Sequence, residues 1–333
     1  MVSWPILKLK GVSKRFGVGP RTIGKPRAQL QALLDVDLAV EAGTTLGVVG
    51  ESGCGKSTLA RIIVGLTRPD SGSVTFDGVE LAQGGRRPLA MALGLQMVFQ
   101  DPYSALNPRM RIGDAILEPL LVHEIVPRDE ASHERDRLLD IVGLSSSMAN
   151  RYPHELSGGQ RQRVNIARAL SVRPKLILAD EAVASLDVSV QGQILNLLSD
   201  LREQMGLTVI FISHDLNVVA HLCDRVAVMY LGRVVEEGDP SILRHRAKHP
   251  YTHGLAAAIP QPVPGRRRSQ PAISGELPSP TNPPSGCHFR TRCPRRQALC
   301  AEVAPPLVSV EAGHRVACHF PISQTKSMSE LPP

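Results

Sequence analysis

No stretch of this sequence stays apolar for anything near the roughly 20 residues that a membrane-crossing helix needs; its strand-like runs are short ones such as Val209 to Ile212. The chain is therefore not expected to span a bilayer by itself. Met1 to Lys10 shows strand-like alternation in place of the basic and apolar regions of a secretory leader, so the chain is expected to stay in the cytosol. Cysteine is scarce, at six in 333 residues. Reducing surroundings argue against disulfides for these six, which leaves metal binding or plain burial. We find no internal repeat and no sustained heptad pattern, which argues against repeat arrays and long coiled coils.

With 42% apolar residues the chain can bury one large core and a smaller second unit, and two domains are expected. The net charge of +7 is uneven: residues 1–243 hold 26 Lys and Arg against 27 Asp and Glu, whereas residues 244–333 hold 12 against 4. A basic tail of this kind suits an anionic membrane surface, nucleic acid, an acidic partner or simply solvent.

From Leu7 to about Gln100 the pattern is of strands broken by Gly-rich turns, with one helix after Gly55 whose apolar Leu59, Ile62, Ile63 and Leu66 share a face. Pro102 to Leu144 turns helical and charged, a further helix follows Gly158, and the whole block has the character of an inserted helical subdomain. Leu176–Asp180 and Thr208–Ser213 are almost continuously apolar, as strands buried on both faces of a parallel sheet are. Between them Ile194, Leu197, Leu198, Leu201 and Met205 form a helix face closed by Gly206. Val226–Tyr230 and Arg233–Glu236 flank Leu231 and Gly232 as a closing hairpin. Residues 260–284 contain eight prolines in 25 positions, too many for a helix or central strand, and are expected to form a semi-rigid connector to a cysteine-bearing segment, Cys287 to Cys318.

Gly50, Glu51, Ser52, Gly53, Cys54, Gly55, Lys56, Ser57 and Thr58 follow the strand Thr45 to Val49 and open a helix, which is the context a phosphate-binding loop requires. The glycines let backbone N–H groups turn onto phosphates, and the helix start adds positive potential. Lys56 is expected to hold the β- and γ-phosphates of ATP, and Ser57 the magnesium ion. Further along, Gln100 ends the strand Gln96 to Phe99; Leu156, Ser157, Gly158, Gly159 and Gln160 open a helix; Asp180 and Glu181 end an apolar strand; Ser185, Leu186 and Asp187 follow; and His214 ends the next strand. These positions are strand ends and helix starts, where ligands of open α/β sheets bind.

In this order the segments resemble the Walker A, Q-loop, LSGGQ signature, Walker B, D-loop and H-loop of ATP-binding-cassette (ABC) ATPases. The resemblance covers about residues 1–243. It implies an α/β nucleotide-binding domain with a RecA-like parallel core, an antiparallel β-subdomain and a helical signature subdomain, and a small Cys-containing C-terminal domain over residues 244–333. It also implies two cassettes closing head to tail around two ATP molecules. Asp180 and Gln100 would then contact magnesium, Glu181 would polarise the attacking water, and His214 would contact the γ-phosphate. Asp187 would communicate across the dimer, and Ser157, Gly158, Gly159 and Gln160 would face the partner's nucleotide. An Asp-Glu pair can also be a helix cap and a lone histidine structural, but not all of these at once in this order. At Ala182 the sequence departs from the proline usual after the catalytic glutamate, which leaves that backbone less constrained. Phe16 is the candidate for stacking on adenine, with a core phenylalanine as the competing reading.

The loop region Gly47–Thr58, the segment Phe99–Arg109, the tail residues His249, Pro250, Tyr251 and Thr252, and the stretch Gly275–Pro280 resemble the oligopeptide/dipeptide importer branch. The insertion at Gly17–Lys25 is similar to that of the F-type subunit, implying a related D-type cassette as heterodimer partner. Two membrane-embedded permease subunits and an extracytoplasmic peptide-binding protein would complete the importer, with this chain peripheral on the cytoplasmic face of the inner membrane and no nucleic acid bound. Gln100 to Ile112 would receive the permease coupling helices. Substrate class rests on this resemblance, and nickel or another solute is the alternative within it. A soluble ABC ATPase acting on nucleic acid or ribosomes is the alternative outside it, with only the basic tail in its favour. Cys287, Cys293, Cys300 and Cys318, spaced C-x5-C-x6-C-x17-C, could hold an iron–sulfur cluster or a tetrahedral zinc, or remain reduced and buried. Some relatives with this extension carry a [4Fe-4S] cluster, which implies the same four ligands here. Cys54 is expected to fill space in the loop, although Lys56 and the helix start could lower its pKa, and Cys223 is expected on a surface helix.

Overall fold

Strict alternation sets the first sheet: in Leu7–Val18 (β1), Leu7 and Leu9 are buried while Lys8 and Lys10 face out. This computed structural model describes residues 4–19, 27–81, 88–258 and 273–323. Strand β1 pairs antiparallel with Ala28–Val40 (β2); Thr45–Val49 (β3) then leads into Lys56–Ile63 (α1). Ser71–Phe76 (β4) and Val79–Glu80 (β5) complete a four-stranded antiparallel sheet in the order β2-β1-β4-β5. The insertion expected between β1 and β2 falls partly on residues 20–26, outside the described residues.

The second sheet contains β3 and continues, after a short helix, Leu89–Gly94 (α2), with Leu95–Val98 (β6). Ile112–Val122 (α3), Ala131–Ile141 (α4) and Gly158–Leu170 (α5) then build the helical subdomain, closed by Ile112, Ile116, Leu138, Leu139 and Val164. Leu176–Asp180 (β7), Val188–Met205 (α6) and Thr208–Ser213 (β8) form the expected strand–helix–strand crossover, with Gly206 capping α6 at φ 63°. Leu216–Leu222 (α7), Arg225–Tyr230 (β9) and Arg233–Gly238 (β10) follow. Every residue of β3, β7 and β8 is buried, as a sheet covered on both faces demands. Strands β9, β3, β8, β7 and β6 run parallel as neighbours, so their C-terminal ends, and the loops leaving them, collect on one edge.

The tail adds Pro240–His245 (α8), Pro250–Ala258 (α9), Leu299–Glu302 (α10), Val308–Glu311 (β11) and His314–Val316 (β12). Strand β12 pairs with the edge of β10, so the large sheet reads β11-β12-β10-β9-β3-β8-β7-β6. Phe289 and Cys293 enter the same apolar cluster as Val228 and Tyr230 of β9, and the Cys segment thus shares the core of the cassette. The expected Pro-rich connector lies in part outside the described residues (259–272); its remainder, 273–284, has neither helix nor strand.

A buried carboxylate fastens the tail to β10. Glu236 is fully buried and accepts from the Lys248 N–H (2.7 Å), the His249 N–H (3.0 Å) and His314 Nε2 (2.8 Å). His249 is buried as well, and its Nδ1 accepts the Tyr251 N–H at 3.1 Å, so the ring must be neutral. Burial pushes its pKa down to about 4, against a smaller upward pull from Glu236. Below roughly pH 6.5 the unfolded chain takes up a proton that the folded chain refuses. This contribution is therefore complete above that pH and is lost as pH falls toward 4. We expect urea titrations to show about 2 kcal/mol less stability at pH 5 than at pH 7 from this group, and a smaller loss in His249→Gln, whose side-chain oxygen can still accept.

Candidate active site at the strand ends

The loop from β3 to α1 is built for backbone donors. A Cβ on Gly50 would stand 2.3 Å from the Met229 carbonyl oxygen, so only glycine lets the loop lie against β9. Gly55 has φ 110°, and a Cβ there would stand 2.4 Å from the Ala32 oxygen. Gly232 N–H donates to Cys54 O (2.8 Å), tying the loop to the β9–β10 turn. Helix α1 starts with no side-chain cap among the described residues and no acidic residue in its first turn, which leaves its N–H groups for an anion. Lys56 is buried, and its ammonium donates to Gly50 O at 2.7 Å and Glu51 O at 3.3 Å.

The focus of the site is the Glu181 carboxylate. Its Oε2 accepts from Gln100 Nε2 at 3.0 Å, and its Oε1 stands 3.8 Å from Lys56 Nζ and 4.0 Å from His214 Nδ1. Residues from three parallel strand ends and the phosphate loop thus meet on one acid. Glu181 holds φ 48°, a costly conformation for a residue with a side chain, and its N–H is fixed on Ile212 O at 3.0 Å. Ala182 is buried, and the Ala184 N–H returns to Glu181 O at 3.0 Å, so a hydrogen-bonded turn follows the acid without proline.

Asp180 tests the fit of a cation. It is buried, it is hydrogen-bonded by the Ser57 side chain, and its Oδ1 has no hydrogen-bond partner among the described residues. Burial, and then the neighbouring Glu181 charge, raise its pKa against the pull of Ser57 and Lys56. An orphaned buried carboxylate oxygen beside a hydroxyl and a cluster of phosphate donors fits magnesium.

The signature residues sit at the start of α5. Ser157 Oγ accepts the Gln160 N–H (3.2 Å) and Gln160 Oε1 accepts the Ser157 N–H (3.0 Å), a reciprocal cap. A Cβ on Gly159 would stand 2.5 Å from Val190 Cγ1, and one on Gly158 would stand 3.2 Å from Leu186 Cδ2. The two glycines therefore let the D-loop and α6 pack against this helix start. Asp187 occupies the N-cap position of α6, with no side-chain cap bond among the described residues. Phe16 lies near the end of β1, 38% exposed, with Lys14 Nζ 5.4 Å from its ring centre.

Cys54 is buried, as a residue that fills space in the loop is, and its thiol pKa is raised because burial outweighs the pull of Lys56. Cys223 is not on an exposed helix: it caps α7 in the interior, with Sγ 3.1 Å from where a Cβ on Gly47 would be, and burial raises its thiol pKa as well. In the tail, the Cys287 N–H donates to Cys300 O at 2.8 Å, and the Cys318 thiol, pushed up to about 11 mainly by burial, also responds to the charges of Cys287, Cys293 and Cys300. The four are neighbours, yet among the described residues no three His, Cys, Asp or Glu side chains are grouped to hold one metal ion. Spacing gave no role to Tyr251 or Arg292. The structure puts both on Glu51 of the phosphate loop, with Arg292 separated from it by 241 positions.

A family model described as ABC transporter matches residues 33–184, and one described as the oligopeptide/dipeptide transporter C-terminal region matches residues 235–300. A Haemophilus influenzae relative named oligopeptide transport ATP-binding protein OppF is 47% identical over 93% of either chain. A Sinorhizobium fredii relative, "Probable peptide ABC transporter ATP-binding protein y4tS", is 50% identical over 94% of this chain and 89% of its own. Among solved structures, cbiO1 of Clostridium perfringens, part of the ABC transporter complex cbiONQ, superimposes with a TM-score of 0.63 at 28% identity over 73% of this chain and 91% of its own. A dimeric ATP-binding cassette in a post-hydrolysis state with ADP and Pi gives 0.61 at 31% identity over 70% and 98%.

Proposed function

This chain belongs to the ABC transporter family of ATP-binding subunits, and from that premise we propose that it hydrolyses ATP to drive an importer of oligopeptides or dipeptides. The observation that carries the catalytic part is the convergence of Gln100, Lys56 and His214 on Glu181. ATP seats its phosphates on the loop N–H groups and Lys56. Glu181 accepts a proton from water as the water's oxygen bonds to the γ-phosphorus, and the bond from that phosphorus to the ADP oxygen breaks. Magnesium, held by Ser57 and Asp180 with Gln100 beside them, would neutralise charge on the phosphate oxygens. His214 steadies the γ-phosphate side of the water, and Phe16 offers a face to adenine.

Ser157, Gly158, Gly159 and Gln160 serve the nucleotide of a second cassette, and Asp187 answers across that dimer. We take the second cassette to be a D-type subunit, with two permeases and an extracytoplasmic peptide-binding protein completing the assembly on the inner membrane. The C-terminal match to peptide transporters favours peptides over nickel. Purifying the tagged chain from membranes tests this. Co-purification of a related cassette and two membrane subunits is expected, whereas recovery of nucleic acid or ribosomes in their place would overturn it.

For the four tail cysteines we favour a [4Fe-4S] cluster. This reading rests on the resemblance of the C-terminal extension: among the described residues no three of these side chains are grouped to hold a metal ion, so zinc and reduced, buried cysteines are the alternatives the test must separate. In such a cluster each thiolate would bind its own iron. Protein purified without oxygen should carry iron and sulfide that Cys287→Ser loses while the fold persists. Iron retained at full stoichiometry in that variant would remove Cys287 from the ligand set.

A further inference from the structure

Glu51 is the one carboxylate of the phosphate loop, and both of its ends are held by the C-terminal tail. Its N–H donates to the Tyr251 hydroxyl of α9 at 3.0 Å, and its Oε2 accepts from Arg292 Nη1 at 2.8 Å. The Arg292 side chain is only 8% exposed, its Nη1 also lies 3.5 Å from the Tyr230 hydroxyl, and its guanidinium stands 5.9 Å from the Tyr230 ring centre. The turn that carries it is fixed by its own N–H on Phe289 O at 3.0 Å. Phe289 in turn packs edge-on against Tyr230, with ring centres 5.2 Å apart. A negative charge in a loop that receives a triphosphate opposes binding unless it is neutralised, and a buried guanidinium is the group that does so without being screened by water.

We propose that Arg292 is a positioning residue for ATP: by neutralising and fixing Glu51 it makes the C-terminal extension a working part of this chain's own nucleotide site. The proposal rests on the nucleotide-site reading above. Glu51 O also accepts from Lys56 Nζ at 3.3 Å, so a loop displaced at Glu51 moves the main phosphate-binding cation with it. By linkage, ATP binding and the order of the turn between Cys287 and Cys293 stabilise each other.

The test compares the full assembly carrying wild-type chain, Arg292→Met and the double variant Glu51→Gln/Arg292→Met, with binding of a fluorescent ATP analogue and hydrolysis both measured. Arg292→Met should raise Kd and the KM for ATP by about tenfold, with kcat changed less than about threefold, because an unpaired carboxylate now faces the phosphates. The double variant should recover most of that affinity, since the repelling charge is gone. A Kd unchanged in Arg292→Met, or a double variant as weak as the single one, would overturn the proposal; the second result would reveal a merely structural role. Should Arg292→Met fail to fold, Arg292→Gln is compared with its own Glu51→Gln double in the same way. Wild-type binding that survives Lys56→Ala would instead sink the nucleotide-site reading, so the two failures are distinguishable.

Discussion

Replacing Glu181 by glutamine should leave ATP bound to this chain and slow its hydrolysis there by about 10²- to 10³-fold, the scale of a lost general base. The amide oxygen can still accept the Gln100 hydrogen bond seen at 3.0 Å, so the loop geometry is kept. What disappears is the capacity to take a proton from water. The variant also sheds a negative charge 3.8 Å from Lys56, which removes repulsion from the phosphates and should not weaken binding. Rapid desalting after incubation with ATP and magnesium should recover nucleotide as ATP from the variant and as ADP from the wild type. Equal turnover in both would take Glu181 out of the mechanism.

Gly55→Ala should abolish nucleotide binding and cost about 2–4 kcal/mol of stability. Two independent penalties meet at this residue: φ of 110°, and backbone 2.4 Å from the new Cβ, the Ala32 carbonyl, which cannot step aside because it belongs to β2. Gly53 is the control within the same loop. It has φ 81° but, among the described residues, nothing within 4 Å of where a Cβ would stand, so Gly53→Ala should bear only the conformational cost of about 1–2 kcal/mol. Thermal unfolding of the two variants, with and without ATP, separates these cases; equal effects would mean that the Ala32 contact does not constrain the loop.

Much of the parallel core is legible because its strands are buried on both faces, and such runs announce themselves: the expected Leu176–Asp180 and Thr208–Ser213 are the observed β7 and β8. Gly206 and the Leu231–Gly232 turn are legible for a related reason, since both residues of that turn need positive φ, 42° and 78°, and a tight hairpin between two apolar runs leaves few alternatives. Short elements carry no such signal. Helix α2 spans six residues and β12 three, too few for a period to show, and β12 is a strand because β10 and β11 flank it as pairing partners. Cys223 follows a helix whose polar Asn217 and His221 suggest a surface, but its inner side lies against Gly47 of β3, a contact made by tertiary packing alone.

The site divides in the same way. The placement of Lys56, Gln100, Glu181 and His214 together at strand ends and a helix start is legible because such motifs sit where ligands of open α/β sheets bind. The direction of the Cys54 shift is not legible: burial, the stronger influence on that thiol, leaves no mark in the local sequence, while the opposing Lys56 stands two positions away in it. The pairing of Arg292 with Glu51 is likewise invisible in any local window, being made only when the tail folds back over the β9–β10 turn.

The most direct test is ATP hydrolysis by the assembly purified from membranes, reconstituted with its extracytoplasmic binding protein and titrated with oligopeptides and dipeptides. Hydrolysis that rises with peptide, and falls sharply when this chain carries Glu181→Gln, is the predicted result; hydrolysis indifferent to every peptide but raised by nickel or by nucleic acid would contradict it.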